Sequence, residues 1–143
     1  MRIAIGADHG GYVLKEKIKS GINAKWIDVG AFNEESSNYP EFAQKVAEKV
    51  QSNEADFGIV ICRSGIGVSI AANRYKNIYA ALCFNNAMAA SARSHNNANI
   101  LCIAADYTSY DEVKEMIHTF LSTAFEAGGR HELRVKSIDE HLP

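Results

Sequence analysis

The sequence predicts an α/β fold, a Rossmann-like three-layer sandwich with a five-stranded parallel sheet and a C-terminal helical tail. Three observations carry that prediction. Short apolar runs alternate with longer amphipathic stretches along the whole chain, as βαβ units require. The run Phe57 to Cys62 is almost continuously apolar, as expected of a central strand covered on both faces. The chain has 143 residues, of which 47% are hydrophobic, enough for one substantial core and the size of one domain, residues 1–143.

Ile3 to Ala7 is the first strand candidate, and a helix follows from Gly11 to about Ser20. Val13, Leu14 and Ile18 mark its apolar side, Lys15, Glu16, Lys17 and Lys19 turn mostly elsewhere, and Gly21 ends it. A second strand, Ala24 to Val29, runs into the polar loop Asn33 to Asn38. Pro40 suits the first turn of the next helix, which carries Phe42, Ala43, Val46, Ala47 and Val50 on one face. After the third strand, Phe57 to Cys62, come a short helix at Gly65 to Asn73, a strand at Ile78 to Phe84, an alanine-dense helix at Asn86 to Arg93 and a fifth strand at Ile100 to Ala105. Ser109 with Glu112 forms a capping-box signature; Val113, Met116, Ile117, Phe120, Leu121 and Ala124 then hold one stripe until Gly128 and Gly129 stop the helix. The tail Arg130 to Pro143 is too short for a domain and must dock on its own subunit or on another.

Charge and cysteine usage exclude several classes. Fifteen Lys plus Arg against 17 Asp plus Glu leave a net charge of -2, without the basic excess that nucleic acid or an anionic membrane demands. Cys62, Cys83 and Cys102 are widely spaced, form no metal-ligand pattern and indicate no disulfide framework. Met1 to Ala7 is too short for a secretory signal and is closed by Asp8, and no segment has the length of a membrane span, so a reducing cytoplasm is the expected compartment.

In an open parallel sheet, ligands bind beyond the carboxyl ends of the strands, so the loops there are the first candidates for chemistry. Gly6-Ala7-Asp8-His9-Gly10-Gly11 sets a carboxylate and an imidazole among glycines that let backbone approach a ligand; its plainer reading is a turn in which Asp8 caps the helix. Cys62-Arg63-Ser64-Gly65-Ile66-Gly67 brings several backbone N–H groups towards one point, which suits a small anion, and it matches neither the Walker A loop nor the dinucleotide fingerprint. A helix start and Arg63 beside Cys62 favour its thiolate as base or nucleophile, whereas Cys83 and Cys102 read as small core residues. A nucleophilic thiol phosphatase would want a Cys-x5-Arg loop, and Val68 stands where its arginine would be. Ser94 to Asn99 holds His95 and Asn96 in a polar cluster, and Arg130, His131 and Arg134 would share a helical face able to grip a phosphate or simply form an exposed basic helix end.

With those residues assembled, the chain resembles the ribose-5-phosphate isomerase type B family, which includes galactose-6-phosphate and allose-6-phosphate isomerases. The resemblance runs end to end through Gly6 to Gly11, Tyr39-Pro40, Gly58 to Cys62, Ser64 to Gly67, Ile70 to Asn73, Ser94 to Asn96 and Gly128 to His131. It implies a homodimer, often paired again into a tetramer, with sites between subunits, a small phosphorylated sugar as substrate, and no metal or cofactor. It implies further that Cys62 moves a proton between C1 and C2, that backbone amides from Arg63 through Ser64, Gly65 and Ile66 to Gly67 stabilise the enediolate, and that His95 opens the ring. Asp8 and Asn96 would assist it at the hydroxyls, and His9, Arg130 and Arg134 would contact the sugar or its phosphate.

Two positions depart from the family pattern: Arg63 replaces a small residue after the cysteine, and Asp106 stands where an arginine commonly helps hold the phosphate. Either Arg130, Arg134 and Arg63 compensate, or the substrate sits differently, or Asp106 points away. Ribose 5-phosphate is the expected substrate, since Cys62 and His95 occur in one chain; a six-carbon sugar phosphate and a binding-only module on the same fold are the competing readings.

Overall fold

β-Branched and small apolar side chains dominate the three runs that become the inner, almost fully buried strands, while the two edge runs are only partly covered. The computed structural model describes residues 1–143. It contains β1 (Arg2–Ala7), α1 (Tyr12–Gly21), β2 (Lys25–Asp28), α2 (Tyr39–Gln51), β3 (Phe57–Cys62), α3 (Ile66–Ala72), β4 (Ala80–Leu82), α4 (Asn86–Ser94), β5 (Ile100–Ala104), α5 (Tyr110–Ser122) and α6 (Arg130–Ile138), closed by a 3-10 turn at Asp139–His141. All strands are parallel, in the order β2-β1-β3-β5-β4. The α/β fold and the helical tail are those read from the sequence.

Successive strand residues point to opposite faces, which divides the core in two. Ile3, Ile5, Ile59, Ile61, Leu101 and Ile103 meet α1, α4 and α5 through Ile18, Ala89, Val113, Met116, Ile117 and Phe120. Ala4, Val60, Cys62, Ile100 and Cys102 meet α2 and α3 through Val46, Ala47, Val50, Val68 and Ala72. Gly58 lets α2 approach closely, since a Cβ there would lie 2.5 Å from Val46 Cγ1. The chain leaves β1 towards β2 on one side and returns to β3 on the other, so the sheet's switch point lies at the carboxyl ends of β1 and β3, where a crevice opens.

Three expectations need correction. The α5 helix stops at Ser122 and Ala124 lies beyond it, because Thr123 turns extended and the Ser122 and Thr123 hydroxyls bond back to the carbonyls of His118 and Thr119. Gly128, at φ 86°, and Gly129 therefore do not end α5; they lead into α6. The fourth strand is only Ala80–Leu82, at a sheet edge with β5 as its one neighbour. Lys15 does not face solvent: it is fully buried, with Nζ 2.6 and 2.7 Å from the two carboxylate oxygens of Asp28 at the end of β2. Burial opposes the Asp28 charge, but Lys15, Lys19 and the Gly30 N–H outweigh it and hold the carboxyl below its ordinary range. The tail docks on its own chain, with Val135 buried and the Tyr79 hydroxyl donating to Asp139.

Candidate active site

The crevice at the switch point is a cleft of about 460 Å³ lined by Asp8, His9, Tyr39, Cys62, Arg63, Ser64, Ile66, Gly67 and Ile70. Two strand-to-helix loops build it. In the first, the Asp8 carboxylate accepts from the N–H groups of Gly10 and Gly11 at 3.0 and 3.2 Å, closing the turn ahead of α1 and holding Asp8 at the cleft wall; it does not cap the helix as the sequence suggested, since the N-cap is Gly11 and carries no side-chain cap. Gly11 allows this loop to touch β3, since a Cβ would fall 2.7 Å from Ile61 Cγ2. His9 is fixed by a reciprocal pair: its N–H donates to Ser37 Oγ at 3.0 Å, and its Nδ1 accepts from the Ser37 N–H at 3.2 Å. With Nδ1 engaged as acceptor, neutral His9 carries its proton on Nε2 and offers a donor there.

In the second loop, Cys62 closes β3 with only 5% of its surface exposed, and its Sγ accepts from the Gly65 N–H at 3.2 Å. Gly65 makes that contact in the left-handed region, φ 72°, where a Cβ would also strike Leu82 at 2.5 Å. The Ile66 N–H is taken by Ser64 Oγ at 3.2 Å, so two of the loop amides expected to face an anion are engaged inside the loop. The Tyr39 ring packs against Gly67, where a Cβ would be 2.4 Å from it. Val68 is fully buried and presents no second base. The other cysteines differ: burial pushes the Cys83 thiol up to about 11, and burial, then the neighbouring Cys83 and Cys62, push Cys102 well up.

The two departures at Arg63 and Asp106 meet. The guanidinium lies 3.5 Å from the Asp106 carboxylate, and the Asp106 N–H donates to the Arg63 carbonyl at 3.0 Å. Both side chains are exposed, so the pair adds little stability; Arg63 lines the cleft, whereas Asp106 lines a separate hollow with Gly10 and Lys17.

His95, Asn96, Arg130 and Arg134 are not among the cleft residues. His95 caps the end of α4 and stacks on His131, with ring centroids 4.2 Å apart and planes 10° from parallel. Glu126 Oε2 sits 3.4 Å from His131 Nε2 and 4.0 Å from His95 Nε2. Partial burial, the neighbouring His95 and Arg130 and Arg134 hold the His131 imidazole below its ordinary value, with Glu126 opposing. Arg130 and Arg134 lie exposed in the first turns of α6. Asn96 lines a separate, mostly apolar hollow of about 330 Å³ under the tail, with Tyr79 and Asp139.

Sequence reasoning missed Ser37, which lies after the end of β2 and so falls under the same carboxyl-end rule, and Glu126, whose place depends on α5 ending early. Tyr39 was legible only as half of the Tyr39-Pro40 pair. No helix is long and apolar enough to cross a membrane.

Comparison with known proteins points one way. The Ribose/Galactose Isomerase family model matches residues 3–138. Ribose-5-phosphate isomerase B of Escherichia coli K12 is 36% identical over 140 residues, covering 96% of this chain and 93% of that protein. The crystal structure of a ribose 5-phosphate isomerase from Thermotoga maritima is 50% identical, with a TM-score of 0.94 and 97% of each chain covered. That of ribose-5-phosphate isomerase B from Mycoplasma genitalium, with bound ribulose-5-phosphate, is 39% identical, with a TM-score of 0.89, covering 96% of this chain and 93% of that one.

Proposed function

Since the chain belongs to the ribose/galactose isomerase family and is an isomerase, we propose that it interconverts D-ribose 5-phosphate and D-ribulose 5-phosphate, in the non-oxidative branch of the pentose phosphate pathway, as a single cytoplasmic domain without cofactor. The observation that carries this is Cys62, seated at the sheet's switch point with the Gly65 N–H on its sulfur.

The chemistry follows from what an aldose-ketose exchange requires. Cys62 as thiolate lifts the proton from C2 of the open-chain aldose and returns it to C1, while a proton leaves the C2 oxygen and one reaches the C1 oxygen. One base on one face therefore serves both half-steps, contributing about a hundred- to ten-thousand-fold. A sugar α-proton is weakly acidic, so donors aimed at the enediolate oxygens supply the larger electrostatic share. Loop amides of Arg63, Ser64 and Gly67, with Ile66 and Gly65 shaping the turn, take that role. The Gly65 N–H stabilises the thiolate.

His95 opens the furanose, Asp8 and Asn96 hold the hydroxyls, and His9 donates through Nε2. Arg130 and Arg134, which make no ion pair within the chain, bind the phosphate; Arg63, already matched with Asp106, adds a weaker contact. Because the cleft holds Cys62 but not His95, Arg130 or Arg134, the reading includes a homodimer in which a second copy supplies them. The test is conversion of D-ribose 5-phosphate by purified protein in chelator, against Cys62→Ala. Turnover lost in the variant supports the reading; no turnover by folded wild type moves the assignment to a six-carbon sugar phosphate or to binding alone.

A further inference from the structure

The cluster around His95 has a second chemical capacity. His95, His131 and Glu126 come from the end of α4, the start of α6 and the segment between α5 and α6, and one ligand atom from each lies within 4.8 Å of the others. The Glu126 N–H donates to the Ser94 carbonyl at 3.0 Å, which ties that segment to the residue before His95. We propose that His95, Glu126 and His131 form a site for a divalent transition-metal ion of the Zn²⁺, Co²⁺, Ni²⁺ class, and that the bound ion inhibits by withdrawing His95 from the reaction.

Two imidazole nitrogens and one carboxylate oxygen are a borderline donor set that suits these ions and not Mg²⁺ or Ca²⁺, which prefer oxygen cages. A tetrahedral ion held at its usual distance needs its ligand atoms about 3.3 Å apart. Glu126 and His131 already stand at 3.4 Å, and His95 has to close from 4.0 Å to the carboxylate. The ring planes are only 10° from parallel, so their in-plane lone pairs cannot converge on one ion until one ring turns. The His95 side chain is 46% exposed and Glu126 61%, which leaves them free to adjust. Arg130 and Arg134 oppose a cation beside His131, so the ion is held reversibly and a chelator removes it.

The inhibitory half of this proposal rests on His95 acting in catalysis; the binding half does not. The experiment is calorimetric titration of metal-free protein with Co²⁺, together with its visible spectrum. The expected result is one Co²⁺ per chain without a thiolate-to-cobalt band, bound at least about tenfold more weakly by Glu126→Gln and by His131→Asn and unchanged in Cys62→Ala. The same Co²⁺ concentration should suppress turnover of D-ribose 5-phosphate, and chelator should restore it. No binding, wild-type affinity in either variant, a thiolate band, or full turnover with Co²⁺ bound would overturn the proposal. Failure of the metal-free enzyme to turn over at all would count against the isomerase reading and leave the binding result to stand by itself.

Discussion

The Cys62 cleft and the His95 cluster hold comparable chemistry on different supports. Cys62 ends a central strand, is nearly enclosed, and has a backbone N–H directed at its sulfur. His95 ends a helix, half exposed, and its neighbours reach it from the tail. The first site is held by the sheet and the second by packing of segments remote in sequence. The difference teaches where precision comes from: strands fix atoms closely, whereas exposed side chains at helix ends and in loops are held less tightly.

The most severe way to break that contrast is Cys62→Ala, expected to lower kcat by about a hundred- to ten-thousand-fold in steady-state assays while leaving the circular dichroism unchanged. Next, His95→Asn should cost about a hundredfold on the cyclic sugar. Mixing the two inactive variants sharpens the comparison. If each site takes Cys62 from one copy and His95 from the other, random exchange into two-fold dimers restores about a quarter of wild-type activity; no recovery would place both residues in one chain's site.

The cleft's support can be tested without touching it. Lys15→Met leaves Asp28 at the end of β2 with Lys19 as its one cation and should lower unfolding free energy by about 3 kcal/mol in urea titrations. The sign with pH is definite. The Asp28 carboxyl is held low in the folded state, so its contribution is full above the unfolded carboxylate range and fades as pH falls towards the folded value. Wild type should therefore lose stability below about pH 4 more steeply than Lys15→Met. Smallest of all, Cys83→Ala or Cys102→Ala should cost about 1 kcal/mol of stability and no activity, since both thiols are buried and kept protonated.

Strands, helices and the cleft loops were legible in the sequence because each depends on local pattern: the apolar run of β3, the capping Ser109 and the glycines around Asp8 and Cys62. What escaped depends on distant partners. Lys15 looks like a solvated residue until Asp28, from another strand, meets it. The α5 helix ends at Ser122 through hydroxyl bonds to its own backbone, and only then does Glu126 reach His131. Ser37 is an ordinary loop serine until His9 folds against it.

The contact between Arg63 and Asp106 bears on how such a site can change over generations. Replacing Arg63 alone leaves the Asp106 carboxylate without its counter-charge, while replacing Asp106 alone leaves an unpaired cation in the Cys62 cleft. Each residue is tolerable because of the other, so lineages carrying one should carry both, and a path back to a small residue at 63 has to pass through loss of the acid first.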